Sequence, residues 1–248
     1  MEKISVIIIT KNEEENIKDC LKSVVWADEI IVVDSESKDN TIEISKNFTG
    51  KIFIKKWEGF ANQKRYALDL ASNELVLNLD ADERVSEKLK DEIQSLDFSS
   101  DGYFIPRENY FLNKRITTCG WGKDFQLRLF KKSRTKVTEK LIHEGFVVDG
   151  KIDYLNNPVI HYTFTSIEKS FSKINNYSTL QALEVFRSKK EVKSSTIISH
   201  SLSAFLRYYF SLKGYKDGIH GLMISLFNSV TTLLTYMKIW EYQNYKKN

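Results

Sequence analysis

The sequence predicts an α/β fold, with a mixed, mainly parallel sheet flanked by helices and a helical extension at the C-terminus. Two observations predict this class. Short apolar runs rich in β-branched residues alternate with helical patterns over residues 4–79, as in strands buried on both faces of a parallel sheet. From Ser166 onward, the pattern is helical to the end of the chain.

Four strands and three intervening helices are predicted in the first part of the chain. The strands lie at 4–9, 30–33, 51–54 and 75–79, and the second and third helices at 41–48 and 60–71. The first helix is predicted to begin at Asn12, an N-cap residue followed by Glu15, with its apolar side formed by Ile17, Leu21, Val24 and Val25 at helical spacing. Strands joined through helices in this way pair in parallel. A helix at 87–96 and strands at 103–106 and 125–130 are predicted further on.

Polar side chains collect at the carboxyl ends of these strands, where open parallel sheets bind their ligands. Thr10, Asn12 and Glu13 follow the first strand, Asp34 and Ser35 the second, and Asp80 and Asp82 the fourth. This clustering predicts a ligand site at that edge of the sheet.

The residue types at these positions suit a phosphate ligand with a metal ion. Asp80 and Asp82 suit Mg²⁺ or Mn²⁺, because these ions take few protein carboxylates and fill the rest of their shell with phosphate oxygens and water. A solvated acidic turn, or a helix cap near Ser86, is the alternative. Asp34 suits a hydrogen bond to a base or ribose, and equally an Asx-turn in its own loop. Lys64 suits a phosphate, or a solvated helix face.

Two other classes of nucleotide-binding protein are disfavoured, because their sequence motifs are missing. No GxGxxG follows the first strand and GxxxxGK[ST] does not occur, which argues against a dinucleotide oxidoreductase and a P-loop NTPase. The two cysteines, Cys20 and Cys119, lack metal-ligand spacing, and no secretion signal precedes the first strand. A cytoplasmic protein is therefore expected.

The net charge of +4 is unevenly distributed. Residues 187–248 carry ten Lys and Arg against three acidic residues, a charge of +7, and the first 186 residues carry −3. Residues 218–237 contain no Lys, Arg, Asp or Glu and are long enough for a membrane span. Their polar residues and an apolar stripe favour amphipathic packing instead: Leu222, Leu226, Val230, Leu233 and Met237.

The basic, aromatic tail indicates a helix pair that lies on an anionic membrane surface. Helices that cover the first domain, or that form a homodimer, are the alternative. Nucleic-acid binding is not expected, because the aromatic residues follow helical core spacing rather than forming an exposed stacking surface.

Four segments follow the motif pattern of one known protein family, in the same order along the chain: 4–13, 29–41, 59–64 and 77–83. It resembles glycosyltransferase family 2, whose members are inverting nucleotide-sugar enzymes with the Rossmann-like GT-A fold. Later segments resemble the branch that contains the bacterial lipopolysaccharide-core glucosyltransferases and related lipooligosaccharide enzymes: Arg128-Leu-Phe130, His143-Glu144, Asp149-Gly150, His161-Tyr162 and 209–221. The resemblance covers nearly the whole chain.

The resemblance implies roles for individual residues. Thr10, Asn12 and Glu13 would line the nucleotide pocket, Asp34 would contact the uracil, Lys64 would lie near the base or phosphates, and Asp80 would contact the ribose or the metal. Asp82 would be the main metal ligand, with His161 completing the shell or having a structural role. Arg128 would lie near the diphosphate, or pair with an acid below the site. Glu36 stands where relatives often have Gly.

The implied reaction is direct displacement at the anomeric carbon, in which a carboxylate takes the proton of the acceptor hydroxyl. Glu144 and Asp124 are the two candidates for this base. The implied donor is a UDP-sugar, UDP-glucose first, and the implied acceptor is a lipid-linked lipopolysaccharide-core or other cell-envelope glycan. A peptide or other polysaccharide acceptor, or a non-catalytic nucleotide-sugar-binding or scaffolding protein, is the alternative.

These expectations define a domain plan. Residues 1–165 form the GT-A catalytic domain, with nucleotide-sugar binding in 1–100 and the acceptor side in 101–165, and residues 166–248 form the helical extension. The protein is expected to be peripheral on the cytoplasmic face of the inner membrane.

Overall fold

The computed structural model describes residues 2–138, 145–186 and 191–245. The chain divides into two compact units, one of residues 1–108 with 124–161 and one of residues 109–123 with 162–248. Segment 109–123 therefore groups with the C-terminal helices, although the sequence assigns it to the acceptor side of the catalytic domain.

The first unit is built on a parallel sheet. Its first four strands are β1 (Ile4–Thr10), β2 (Glu29–Asp34), β3 (Ile52–Ile54) and β4 (Leu75–Asp80). They pair in parallel in the order β3-β2-β1-β4. The four predicted strands and their parallel pairing are confirmed.

Helices cover both faces of this sheet. The first three strands are followed by α1 (Ile17–Lys22), α2 (Thr41–Ser45) and α3 (Phe60–Leu70). Alternate side chains of β1 enter opposite cores, so that Ile8 shares one with Leu21 of α1 and Ile7 shares the other with Ala67 of α3. Every residue of β1 is buried, as expected of a strand between two helical layers.

The start of the first helix was predicted wrongly. The N-cap of α1 is Asn16 and not Asn12. Asn12 has a left-handed backbone (φ +53°), and its side-chain oxygen accepts the backbone N–H of Lys38 at 2.8 Å. The residue that resembles a cap therefore ties two loops together. Because α1 ends at Lys22, Val25 lies outside the helix and is 62% exposed.

Antiparallel strands extend the sheet beyond β4. The further strands and the α-helix up to residue 164 are β5 (Glu83–Val85), α4 (Glu87–Gln94), β6 (Gly102–Phe111), β7 (Lys114–Arg115), β8 (Phe125–Lys131), β9 (Thr135–Val137), β10 (Phe146–Val148), β11 (Ile152–Tyr154) and β12 (Val159–Phe164). The strand order continues β4-β8-β6-β12-β5, and β8 is antiparallel to both β4 and β6. The sheet is therefore mixed, as predicted.

Three long helices make up most of the second unit. They are α5 (Ile167–Phe186), α6 (Ser194–Leu206) and α7 (Ile219–Asn244), and α7 packs against both of the others. Before α7, a short turn spans Gly214–Asp217. A Cβ on Gly221 would lie 1.8 Å from the carbonyl oxygen of Gly214, so only glycine lets this turn approach the helix so closely.

Of the helices in the described part of the chain, α7 alone is long and apolar enough to cross a membrane, a property it shares with core helices of soluble proteins. Its buried face differs from the predicted stripe, of which Leu226 and Met237 are exposed. Ser225 and Thr235 are buried instead, because their hydroxyls donate to carbonyl oxygens of the preceding turn.

Glu29 links neighbouring chain segments at the end of the sheet opposite the polar residues that follow β1, β2 and β4. Its carboxylate accepts hydrogen bonds from the Ser5 hydroxyl, from the Lys51 ammonium, and from the backbone N–H (2.8 Å) and hydroxyl (2.7 Å) of Ser72. Burial opposes ionisation, but these donors lower the pKa of Glu29 from 4.5 to about 2. Glu29 thus joins β1, β2 and the chain that leaves α3.

We predict that Glu29→Gln destabilises the protein at neutral pH and that its effect vanishes in acid. A depressed carboxyl pKa contributes stability above the unfolded-state value, and this contribution is lost as pH falls through the folded-state value. The contribution is about 3 kcal/mol. Urea unfolding at neutral pH and near pH 2 should show the difference shrinking between pH 4.5 and 2. The exposed Glu43→Gln is the control, and a pH-independent difference would contradict the prediction.

Candidate functional site

Three strand ends meet at one edge of the parallel sheet. Thr10 of β1 lies beside Asp34 of β2, and Ile9 of β1 lies beside Asp80 of β4. The structure therefore brings the polar residues that follow β1, β2 and β4 to a common edge, which is the place the sequence predicts for a ligand.

Asp34 is fully buried at this edge. Its Oδ1 accepts the backbone N–H of Ser37 at 2.8 Å, and its Oδ2 accepts the Ser37 hydroxyl at 2.6 Å. This is the loop-capping arrangement that the sequence left open as the alternative. Next to it, Ser35 donates its N–H to the Thr10 carbonyl, while the buried Thr10 hydroxyl has no hydrogen-bond partner among the described residues.

The loops after β1 and β2 are held together by further hydrogen bonds. Asn12 donates its N–H to the Ser37 hydroxyl at 2.7 Å, and Glu13 donates its N–H to the Thr41 hydroxyl at 2.8 Å. The Glu13 carboxylate also accepts the side-chain amide of Asn16. Glu36 has φ +58°, a left-handed conformation that glycine adopts most easily, and this accounts for the glycine that the family pattern places here.

Helix α3 contributes Gln63 and Lys64 to the same region. Gln63 is fully buried, and its Nε2 donates to the Ser35 hydroxyl at 2.8 Å and to the Lys55 carbonyl at 2.9 Å. Its Oε1 is buried without a hydrogen-bond partner in the described part of the chain. The sequence singled out Lys64 and missed Gln63. Gln63 could have been found from the sequence, because it is a polar amide on the otherwise apolar side of the predicted helix.

A buried guanidinium joins two of the acids at the end of β4. Arg128 of β8 donates Nη2 to Asp80 Oδ2 at 2.7 Å and to Glu83 Oε1. The other oxygen of Glu83 accepts the backbone N–H of Asp80 at 2.9 Å. Arg128 thus pairs with acids below the site, as in the second of its two predicted roles. A role near the diphosphate stays a prediction. Sequence reasoning missed Glu83, although it adjoins the Asp80-Ala-Asp82 motif.

This network sets the charge of the two acids. Burial alone would raise the pKa of Asp80, but Arg128, followed by Lys64 and Arg107, lowers it well below its ordinary value. Burial raises the pKa of Glu83, and the Asp80 charge adds to the rise while Arg128 opposes it. Asp80 therefore stays ionised around neutral pH and offers a charged oxygen at the sheet edge.

Asp82 and His161 meet through strand pairing. His161 of β12 lies opposite Glu83 of β5, which places its Nε2 3.5 Å from Asp82 Oδ2. Both side chains are largely buried. Within the described ranges no three His, Cys, Asp or Glu side chains form a group that could hold a metal ion. The predicted set of Asp80, Asp82 and His161 is thus present as neighbouring residues and does not form a closed cage.

The two predicted base candidates differ in their surroundings. Asp124 accepts Arg107 Nε on Oδ2 and Gln126 Nε2 on Oδ1, both at 2.7 Å. Arg107 also lies 3.6 Å from Glu83 Oε1, which links Asp124 to the acid cluster. A carboxylate with both oxygens engaged by donors is a poor proton acceptor, so this geometry disfavours Asp124 as the base. His143 and Glu144 lie outside the described residues.

The geometry and the comparison with known families agree. The model of glycosyl transferase family 2 matches residues 5–150, more than half of the chain. The chain therefore belongs to glycosyltransferase family 2, and it is a glycosyltransferase with a GT-A fold. The predicted family and fold are confirmed.

Several individual proteins are similar to this chain. An uncharacterized glycosyltransferase of Rickettsia typhi is 33% identical over 260 residues, which cover 97% of this chain and 88% of that protein. The lipopolysaccharide core biosynthesis glycosyltransferase LpsC of Rhizobium meliloti is 29% identical over 249 residues, with 96% and 92% covered. Among solved structures, S. aureus TarS 1–349 in complex with UDP has a TM-score of 0.46 at 18% identity, with 99% and 92% covered.

We predict that Arg128→Met destabilises the protein by about 3–5 kcal/mol, because it leaves Asp80 and Glu83 buried without their counter-charge. Urea unfolding measures the effect, and the exposed Arg134→Met is the control. The double variant Arg128→Met/Glu83→Gln should recover part of the loss. Equal stability of Arg128→Met and the control would contradict the proposed ion-pair network.

Proposed function

We propose that this glycosyltransferase transfers a hexose, with inversion, from a UDP-sugar to a lipid-linked or other cell-envelope glycan. Glucose and a lipopolysaccharide-core acceptor are the specific pair proposed. The observation that carries the proposal is the pair Asp80 and Asp82 at the carboxyl end of β4, beside the positive charges of Lys64 and Arg107. This edge offers charged oxygens for a metal and cations for a diphosphate.

The donor set fits a divalent cation of the Mg²⁺ or Mn²⁺ class. Asp82 would hold the ion, assisted by Asp80, and the imidazole of His161 lies beside the Asp82 carboxylate. The protein would supply only part of the shell, and phosphate oxygens with water would complete it, as is usual for Mg²⁺. When bound, the ion supplies positive charge against the departing nucleoside diphosphate.

The nucleotide would occupy the neighbouring strand ends. Two buried polar atoms there, Thr10 Oγ1 and Gln63 Oε1, lack partners within the described part of the chain, and a buried polar atom without a partner is costly unless a ligand or water satisfies it. We assign Thr10, Asn12, Glu13, Asp34 and Lys64 to this donor pocket. Asp34 is presented there in a fixed orientation by its bonds to Ser37.

Similarity to a named relative supports the acceptor class. The relative called a lipopolysaccharide core biosynthesis glycosyltransferase aligns with this chain over 96% of its length, the C-terminal helices included. An acceptor of this class is carried on lipid, and a basic extension would hold the enzyme at the membrane that contains it. We therefore propose a cytoplasmic enzyme that associates peripherally with the inner membrane through its C-terminal helices, with a homodimer through the same helices as the alternative.

We assign the catalytic base to Glu144. The competing candidate, Asp124, has both carboxylate oxygens engaged by Arg107 and Gln126. Glu144 would accept the proton of the attacking acceptor hydroxyl, which raises the nucleophilicity of that oxygen as it displaces the nucleoside diphosphate.

We predict that Asp82→Asn lowers the rate of sugar transfer from UDP-glucose at least about 100-fold, because an amide cannot supply the charge that binds the ion. UDP release is measured over a panel of UDP-sugars with Mg²⁺ or Mn²⁺, with an acceptor oligosaccharide from the lipopolysaccharide core. Asp91→Asn, at an exposed position of α4, should keep full activity. Undiminished activity of Asp82→Asn, or of the wild type in excess chelator, would refute the metal assignment.

We predict that Glu144→Gln lowers kcat by about 10²–10⁴-fold with UDP affinity unchanged, since only proton transfer is lost. Asp124→Asn should mainly lower thermal stability, because it weakens the contact with Arg107. Steady-state kinetics, UDP titration and thermal melting separate the two effects. A Glu144→Gln enzyme with normal kcat would remove Glu144 as the base.

A further inference from the structure

Helix α6 turns its apolar side outward. Ile198, Leu202 and Leu206 recur every fourth residue and are 67%, 56% and 45% exposed, and Phe210 continues the series at 56% in the next turn. Such spacing places the side chains on one side of the helix. None of the residues of α6, all of which are described, is buried. We name these four residues the α6 stripe.

The side of α6 that meets α7 combines one apolar contact with polar ones, and Ile197 packs there against the cluster that contains Ile239 and Tyr242 of α7. The Ser201 hydroxyl lies 3.0 Å from the Ser229 hydroxyl of α7, and Ser229 donates to the Ser201 carbonyl at 2.9 Å. His200 Nδ1 lies 3.1 Å from the Tyr236 hydroxyl. The α6 stripe lies on the other side of the helix and stays exposed, and a contiguous exposed apolar surface is typical of a site that contacts a membrane or another protein.

Two threonine hydroxyls of α7 are bonded within their own helix. Thr231 and Thr232 donate to the carbonyls of Phe227 and Asn228, at 2.7 and 2.9 Å. Hydroxyls satisfied within their own helix do not need water as a partner, and such bonding suits a helix that lies against a lipid phase.

The charged residues of the stretch that contains the α6 stripe are nearly all of one sign. Between Glu191 and Glu241 the sequence contains a single acidic residue, Asp217. Asp217 is buried, accepts the N–H groups of Thr117 and Thr118 at 3.0 Å, and lies 3.7 Å from the Lys114 ammonium. Four cations of the same stretch are exposed: Lys193, Arg207, Lys213 and Lys216. The exposed charged side chains of residues 192–240 are therefore all positive among the described residues.

We propose that the α6 stripe inserts into the interfacial layer of an anionic lipid membrane, with Arg207, Lys213 and Lys216 on the lipid phosphates. The apolar residues contribute burial and the cations contribute attraction to the anionic surface. The proposal deepens the membrane part of the proposed function. Its test measures binding without donor or acceptor, so its failure and a failure of sugar transfer are distinguishable.

A second copy of the chain is the less favoured partner for the α6 stripe. A two-fold symmetric interface would bring the same surface of both copies together. Such an interface would bring two sets of these exposed cations into one contact region, and like charges held close together cost free energy. An anionic lipid surface complements the same cations.

The test is sedimentation of the full-length protein with vesicles of phosphatidylglycerol mixed with phosphatidylcholine, and with vesicles of phosphatidylcholine alone. We expect binding to the mixed vesicles only, and release by high salt. Ile198→Ser/Leu202→Ser should weaken binding at least about tenfold. Val25→Ser is the matched control, because Val25 is 62% exposed in the other unit and should leave binding unchanged.

A charge pair of variants tests the second half of the proposal. Arg207→Ser/Lys216→Ser should weaken binding about fivefold per cation, whereas the exposed Lys18→Ser should have no effect. Failure of the wild type to bind anionic vesicles overturns the proposal. A dimer in light scattering that Ile198→Ser/Leu202→Ser dissociates, without vesicle binding, would assign the stripe to a second copy. Retention on vesicles after carbonate washing would instead favour a spanning α7.

Discussion

The ion pairs of Arg128 with Asp80 and Glu83 are the interaction on which the site depends. A guanidinium this deeply buried requires acids beside it, and the acids require the guanidinium, so none of the three can move alone. The three residues belong to β8, β4 and β5. Their mutual attraction fixes the turn between β4 and β5. Because β5 pairs with β12, the same turn brings Asp82 and His161 together.

Much of the parallel half of the sheet could be predicted from local sequence, because a strand that is buried on both faces forms a continuous apolar run. Every position of β1 is apolar, Ser or Thr and every one is buried. The parallel orientation then follows from the helical connections, and the carboxyl ends of parallel strands place Thr10, Asp34 and Asp80 at one edge. The candidate site could be located in this way from one sequence.

The partners of the polar side chains could not be predicted, because they are distant in sequence. Asn12 has the spacing of a helix cap, yet its side chain bonds to Lys38, and Arg128 pairs with Asp80 across 48 residues. Local pattern also does not show which side of an amphipathic helix meets its neighbour. Ile198, Leu202 and Leu206 have helical spacing in the sequence, but their exposure depends on which side of α6 meets α7, the side of Ile197 and Ser201.

Calorimetric titration of UDP tests most directly whether the edge around Asp80 and Asp82 is a metal-assisted diphosphate site. The titration is performed with Mg²⁺ or Mn²⁺ and again in excess chelator. We predict binding at least about tenfold tighter with the ion, a difference of about 1.4 kcal/mol, because the ion links the diphosphate to the carboxylates. Equal affinity in both conditions, or no binding of UDP in either, would contradict this assignment.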